Sequence, residues 1–158
     1  MAKTDLPILE QRRIEANIIK PIFEEMKEQL GGDQAAEILG KAIIKDSIAQ
    51  GKAYAASQDG PTNLMSFHHL LHQWKADGAL ELDMLSEEET QVDYNVTRCK
   101  YAEMYRSLGL EEIGHLLSCN RDGTFCTGYN PNIRLERTQT IMGGASHCDF
   151  RYSWVGDE

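Results

Sequence analysis

Apolar residues in the first third of the chain recur with a helical period. Ile14, Ile18 and Ile22 fall every four residues, beside Ile19, Phe23, Met26 and Leu30, so residues 5–30 read as a helix. Pro21 would kink it or mark a restart, and Gly31-Gly32 would stop it. Asp33 is a candidate N-cap for a second helix carrying Ile38, Leu39, Ala42 and Ile43, which fades by Gly60-Pro61. Thr62 would cap a third, with Leu64, Phe67, Leu71 and Trp74 on one face and Gly78 just beyond. The period then drops to two. Leu80, Leu82 and Met84 alternate with Glu81 and Asp83, and Val92, Tyr94 and Val96 alternate with Asp93 and Asn95, which predicts a hairpin. A helix over about 98–108, a short one around 111–118 and then three strands complete the order. Helices segregated from strands in this way predict an α+β fold, an N-terminal helical layer on an antiparallel sheet of at least four strands. One domain is expected over residues 1–158, with a helical scaffold at about 5–76 and a strand-rich, site-bearing part at about 79–154.

Gly143-Gly144 reads as the turn joining strands at 133–142 and 145–154. A two- or four-residue loop puts odd positions of the first strand on the face of even positions of the second. Ile133, Leu135, Arg137, Gln139 and Ile141 then share a face with Cys148, Phe150, Tyr152 and Trp154. The opposite face carries Glu136, His147, Asp149 and Arg151. Arg137 therefore lies on an apolar face, where a guanidinium needs an internal carboxylate or an anionic ligand. Neighbouring His147 and Cys148 point apart, so they cannot act as a thiolate–imidazole pair.

Charge narrows the partners. The 158 residues carry a net charge of −9, with acidic side chains spread along the chain. Sequence-independent binding to nucleic acid or an anionic membrane needs clustered Lys and Arg, so neither is expected. No run approaches 18 apolar residues, and the N-terminus lacks the apolar core of a signal peptide, so a cytoplasmic location is expected. In such a compartment the four cysteines would be free thiols. Apolar positions on the first helix exceed one narrow stripe, which suggests a homo-oligomer.

Candidate chemistry concentrates in the last quarter. Cys148 could attack an amidine or lactam carbon as a thiolate, with Arg137 lowering its pKa, or it could simply pack. His115 and Cys119, four apart, could meet on one helix face. His147 and Asp149 could orient a water from the polar strand face. His68 and His72 share a helix face without an evident third ligand. Gln139 and Tyr152, on the face of Arg137, are candidates to contact a substrate. Phe150, Tyr152 and Trp154 read as core whose outer members could floor a pocket.

Cys119-x-x-Asp122, Asn130-Pro131, Arg137-Thr138-x-Thr140, a glycine turn and Cys148-Asp149-Phe150 together resemble the L-2-amino-thiazoline-4-carboxylic acid hydrolase family. The resemblance implies a hydrolase that opens a small nitrogen heterocycle by adding water at a ring C–N or C=N carbon. It makes Asp122 a candidate acid–base residue and leaves Asp122 or His115 as the base for Cys148. A weaker similarity links the chain to the vinyl-reductase-type ligand-binding domain, whose Glu-x-x-Cys-x3-Gly-x3-Cys-x-Phe pattern can hold zinc. Here Arg137 and Thr140 stand at the acidic and first cysteine positions, and arginine cannot ligate a cation. No metal or cofactor is therefore expected, and Arg137 favours an anionic small-molecule substrate. The alternative is a sensor or carrier that uses Arg137 to hold a carboxylate without catalysis.

Overall fold

The computed structural model describes residues 5–156. Two long helices, α1 (Ile8–Leu30) and α2 (Gly32–Ala56), precede the short α3 (Leu64–His69) and α4 (Leu71–Trp74). Strands β1 (Leu80–Glu88) and β2 (Gln91–Cys99) follow, then α5 (Lys100–Ser107), a π-helical turn at His115–Cys119, α6 (Asn120–Tyr129), β3 (Ile133–Glu136) and β4 (Cys148–Trp154). The strands form one antiparallel sheet in the order β1-β2-β4-β3. The fold is α+β, with the helices packed on this sheet.

Several boundaries depart from the sequence reading. Helix α1 runs through Pro21 without a break, Gly31 rather than Asp33 precedes α2, and Asn63 rather than Thr62 caps α3. The isoleucine row of α1 also faces the other way. Ile14, Ile18 and Ile22 are exposed, whereas Ile8, Arg12, Ala16 and Phe23 form the buried face. Residues 120–129 form a helix where the sequence reading returns to strand after the short 111–118 helix. Their composition is poor for a helix, and tertiary packing supplies what propensity does not. A Cβ at Gly51 of α2 would lie 2.3 Å from the Phe125 carbonyl oxygen, and one at Gly128 of α6 would lie 2.4 Å from that of Ile48. The two helices therefore meet backbone to backbone, and the buried Ser47 hydroxyl donates to the Arg121 carbonyl at 2.9 Å.

Two apolar clusters result. One gathers α1, α2 and α5 around Ala16, Phe23, Tyr105 and Ile113. The other joins the inner sheet face (Val92, Tyr94, Val96, Phe150, Tyr152) to Leu64, Phe125 and Tyr129. Trp74, Leu80 and Cys99 pack against both.

Ile133 pairs with Trp154, Leu135 with Tyr152 and Glu136 with Arg151, which is the predicted parity. The ladder nevertheless ends at Glu136, and residues 137–147 form a long excursion rather than a tight Gly143-Gly144 hairpin. Asp149 is the reason at the ladder's end. Its carboxylate accepts the Thr138 amide at 2.9 Å and the Gln139 amide at 3.0 Å, plus the Thr138 hydroxyl. Those amides are turned to a side chain instead of to strand β4.

Candidate functional site

A cavity of about 120 Å³ lies where the two apolar clusters meet. Apolar cavities of roughly 150 Å³ hold a single benzene-sized ring, so this is space for one small ring. Its sheet wall carries Tyr94, Phe150 and Tyr152, with Tyr94 and Phe150 stacked at 5.0 Å and 15°. Helices α3 and α6 add Leu64, Phe67 and Phe125.

Charged groups enter this apolar space from two directions. From the excursion, Arg137 donates to Asp122 Oδ2 at 2.6 Å and to the Cys119 carbonyl at 3.0 Å, with its guanidinium 5.1 Å from the Phe150 ring centre. The other Asp122 oxygen, Oδ1, makes no hydrogen bond among the described residues. Asp122, on the cavity wall, retains 28% side-chain accessibility, yet burial pushes its carboxyl above the usual range. Arg137, Arg12 and Arg121 pull the other way, and burial wins.

From the helical side come Arg12 and Arg121. Arg12 donates Nη1 to both Glu15 oxygens at 3.0 Å, and Arg121 donates Nη1 to Asp46 at 3.0 Å and Nε to the Leu117 carbonyl at 2.8 Å. Both arginine side chains are more than nine-tenths buried, and both line the cavity. Ser118 and Tyr105 lie beside them, hydroxyl to hydroxyl at 2.5 Å.

Three thiols, Cys99, Cys119 and Cys148, also line the cavity. Burial raises all three, Cys99 to about 11 and Cys119 to about 12. For Cys148 the Ile141 amide, donating to Sγ at 3.2 Å, and then Arg137 oppose that rise. Asp122 and Asp149 add to it. The expected activation of Cys148 by Arg137 is thus overridden, chiefly by burial of the thiol.

The structure brings together Asp122, Arg137, Cys148 and Tyr152. It does not bring His115, which is exposed and off the cavity, because the π-helical turn points it outward. Gln139 sits outside as well, in a shallow groove with Arg137, Thr138 and Thr140, its amide donating to the His147 carbonyl at 2.9 Å. His68 reaches the cavity wall and contacts Glu87 at 3.2 Å, and burial lowers its pKa. Among the described residues no three His, Cys, Asp or Glu side chains are placed to share a metal ion.

Sequence reasoning missed Arg12, Arg121 and Tyr94. For Arg12 the signal was present. Ile8, Arg12 and Ala16 follow a four-residue step, and the small Ala16 marks the side that another helix can approach.

The model of the L-2-amino-thiazoline-4-carboxylic acid hydrolase family matches residues 11–152. The chain belongs to this family. The matched span takes in both cavity ends, from Arg12 to Tyr152. No curated protein shows significant similarity to the chain. Among solved structures, the phenol-responsive sensory domain of the transcription activator PoxR, solved with phenol, is similar in fold. It has a TM-score of 0.52 and 10% identity over 87% of this chain and 73% of that one. Among the described residues no helix is long and apolar enough to cross a membrane.

Proposed function

We propose that this family member is a hydrolase that opens a small nitrogen heterocycle, a cyclic amidine or lactam bearing a carboxylate, by adding water at a ring C–N carbon. One observation carries the reading. A ring-sized, mainly apolar cavity contains a single carboxyl group among its described lining residues, Asp122, with one oxygen held by Arg137 and the other free. A carboxyl with a raised pKa is suited to proton transfer near neutrality. Asp122 Oδ1 takes a proton from water as the water oxygen bonds to the ring carbon. It returns that proton to the ring nitrogen as the C–N bond breaks and nitrogen keeps the electron pair. Tyr94, Phe150 and Tyr152 hold the ring against the sheet. Arg137 opposes the burial that raises the Asp122 carboxyl.

A covalent route through Cys148 is the second reading, supported by the Ile141 amide aimed at its sulfur. The sensor alternative draws on the fold shared with the phenol-responsive domain. The test is to incubate the protein with L-2-amino-thiazoline-4-carboxylic acid and a panel of cyclic amidines and lactams, following ring opening by NMR. Wild-type turnover that survives Cys148→Ser but not Asp122→Asn supports the water route, and the reverse supports the thiol. Binding without any ring opening leaves the sensor.

Four free thiols fit a cytoplasmic location, and the exposed Ile14, Ile18 and Ile22 row fits a homo-oligomer built through α1. Ile18→Glu should then lower the mass seen by light scattering to that of one chain.

A further inference from the structure

The proposed substrate carries a carboxylate, and Arg137 is poorly placed to take it. One of its terminal nitrogens is committed to Asp122 and the other to the Cys119 carbonyl, and its face lies on Phe150. Its charge is already answered inside the cavity.

Arg12 and Arg121 differ in where their counter-ions lie. Glu15 and Asp46 do not line the cavity, and their side chains keep 38% and 53% accessibility. The guanidiniums themselves are buried against the cavity. Arg12 Nε and Nη2 donate to nothing among the described residues, and Arg121 Nη2 has only Glu15 at 3.9 Å. The two cations also act on each other, since Arg12 adds to the burial that lowers the Arg121 pKa. Burying adjacent like charges with unfilled donors costs free energy that an anion between them would recover. The cavity lining thus holds three arginines against one carboxylate, in a chain whose net charge is −9.

We infer that Arg12 and Arg121 form the anion-binding end of the cavity and grip the carboxylate of the ring substrate, while the Asp122–Arg137 end faces the bond that opens. The inference rests on the proposed ring-opening reading for the identity of the ligand, but not for the site. Arg12 donates from α1 and Arg121 from α6, so the grip also selects rings by the distance between their carboxylate and their scissile carbon.

The test is calorimetric binding of L-2-amino-thiazoline-4-carboxylic acid and its carboxamide, with ring opening followed in parallel. The wild type should favour the carboxylate by about 10- to 100-fold. R12Q and R121Q should bring that ratio close to one, R12K should lower it in part, and R137Q should leave it within about threefold. The ratio is taken on the folded fraction, checked by circular dichroism, so a loss of yield does not decide the outcome. An unchanged ratio in both R12Q and R121Q, or a ratio lost only in R137Q, overturns the inference. Ring opening with no carboxylate preference overturns it while sparing the hydrolase reading. A strong preference that R12Q abolishes, without any ring opening, sustains it while the hydrolase reading falls. Binding of neither compound overturns the inference, while the panel of cyclic amidines and lactams decides the hydrolase reading separately.

Discussion

The two ends of the cavity bury the same kind of cation and treat it differently. At the sheet end Arg137 meets Asp122 inside the cavity, so a ligand there sees a nearly neutral pair with one free carboxyl oxygen. At the helical end Arg12 and Arg121 meet Glu15 and Asp46 outside it, so a ligand there sees positive charge. The position of the counter-ion, not the presence of an arginine, decides what a buried guanidinium offers. On the proposed reading, chemistry falls to one end and recognition to the other.

The most direct way to break this division is Asp122→Asn, which should slow ring opening by about 10²- to 10⁴-fold with little change in affinity for the carboxylate. Steady-state kinetics beside calorimetry would show it, and an equal loss of affinity would erase the distinction between the ends. Gly128→Val disturbs both ends together, because α6 carries Asp122 and Arg121 and its backbone already touches Ile48. We expect about 3 kcal/mol of lost stability in urea unfolding, and a value within about 0.5 kcal/mol of wild type would contradict the close helix contact.

Arg137→Met sharpens the contrast. Removing the cation that opposes the effect of burial should raise the Asp122 pKa further, so the acidic limb of the kcat/KM profile moves to higher pH. A limb that stays put would detach Asp122 from catalysis. The smallest expected effect compares two aspartates by their contributions to stability. Asp122 is raised, so its contribution is full below the unfolded carboxylate pKa and is lost as pH rises through its folded value. Asp149 is held below its ordinary value, because bonds from Thr138 and Gln139 together outweigh its modest burial. Its contribution is present above the unfolded pKa and is lost as pH falls through the folded one. Asp149→Asn should therefore lower stability near pH 7 by about 1 kcal/mol and flatten the acid side of the profile.

Legibility in the sequence followed local pattern and failed where distant backbone decided. The β1–β2 hairpin was readable because one face is covered and the other is wet, which forces alternation. The parity of β3 and β4 was readable from their coincident apolar sets. Helix α6 was not, since Asn120–Tyr129 contains Gly123 and Gly128 and becomes helical against a glycine 77 positions before Gly128. The pairing of Arg137 with a carboxylate was one of the alternatives its apolar face posed, and its partner was the aspartate marked by the family pattern. Arg12 stayed hidden because it sits in a charged stretch that resembles ordinary helix surface, and Arg121 because its segment did not read as a helix. His115 was misplaced for a related reason, as spacing along a helix does not say which side faces inward.

The burial of the thiols has a consequence outside catalysis. At neutral pH a thiol held near 11 or 12 is ionised in roughly one molecule in 10⁴ to 10⁵, and Cys99, Cys126 and Cys119 are all held in that range. Peroxide and haloacetamides attack the thiolate, so this chain should be slow to oxidise and slow to alkylate despite its cysteine count. Mass spectrometry after iodoacetamide treatment at pH 7 should find Cys99, Cys119 and Cys126 unmodified in the folded protein and labelled in urea. The same chain that lines its cavity with soft sulfur should be, toward the surrounding solution, chemically quiet.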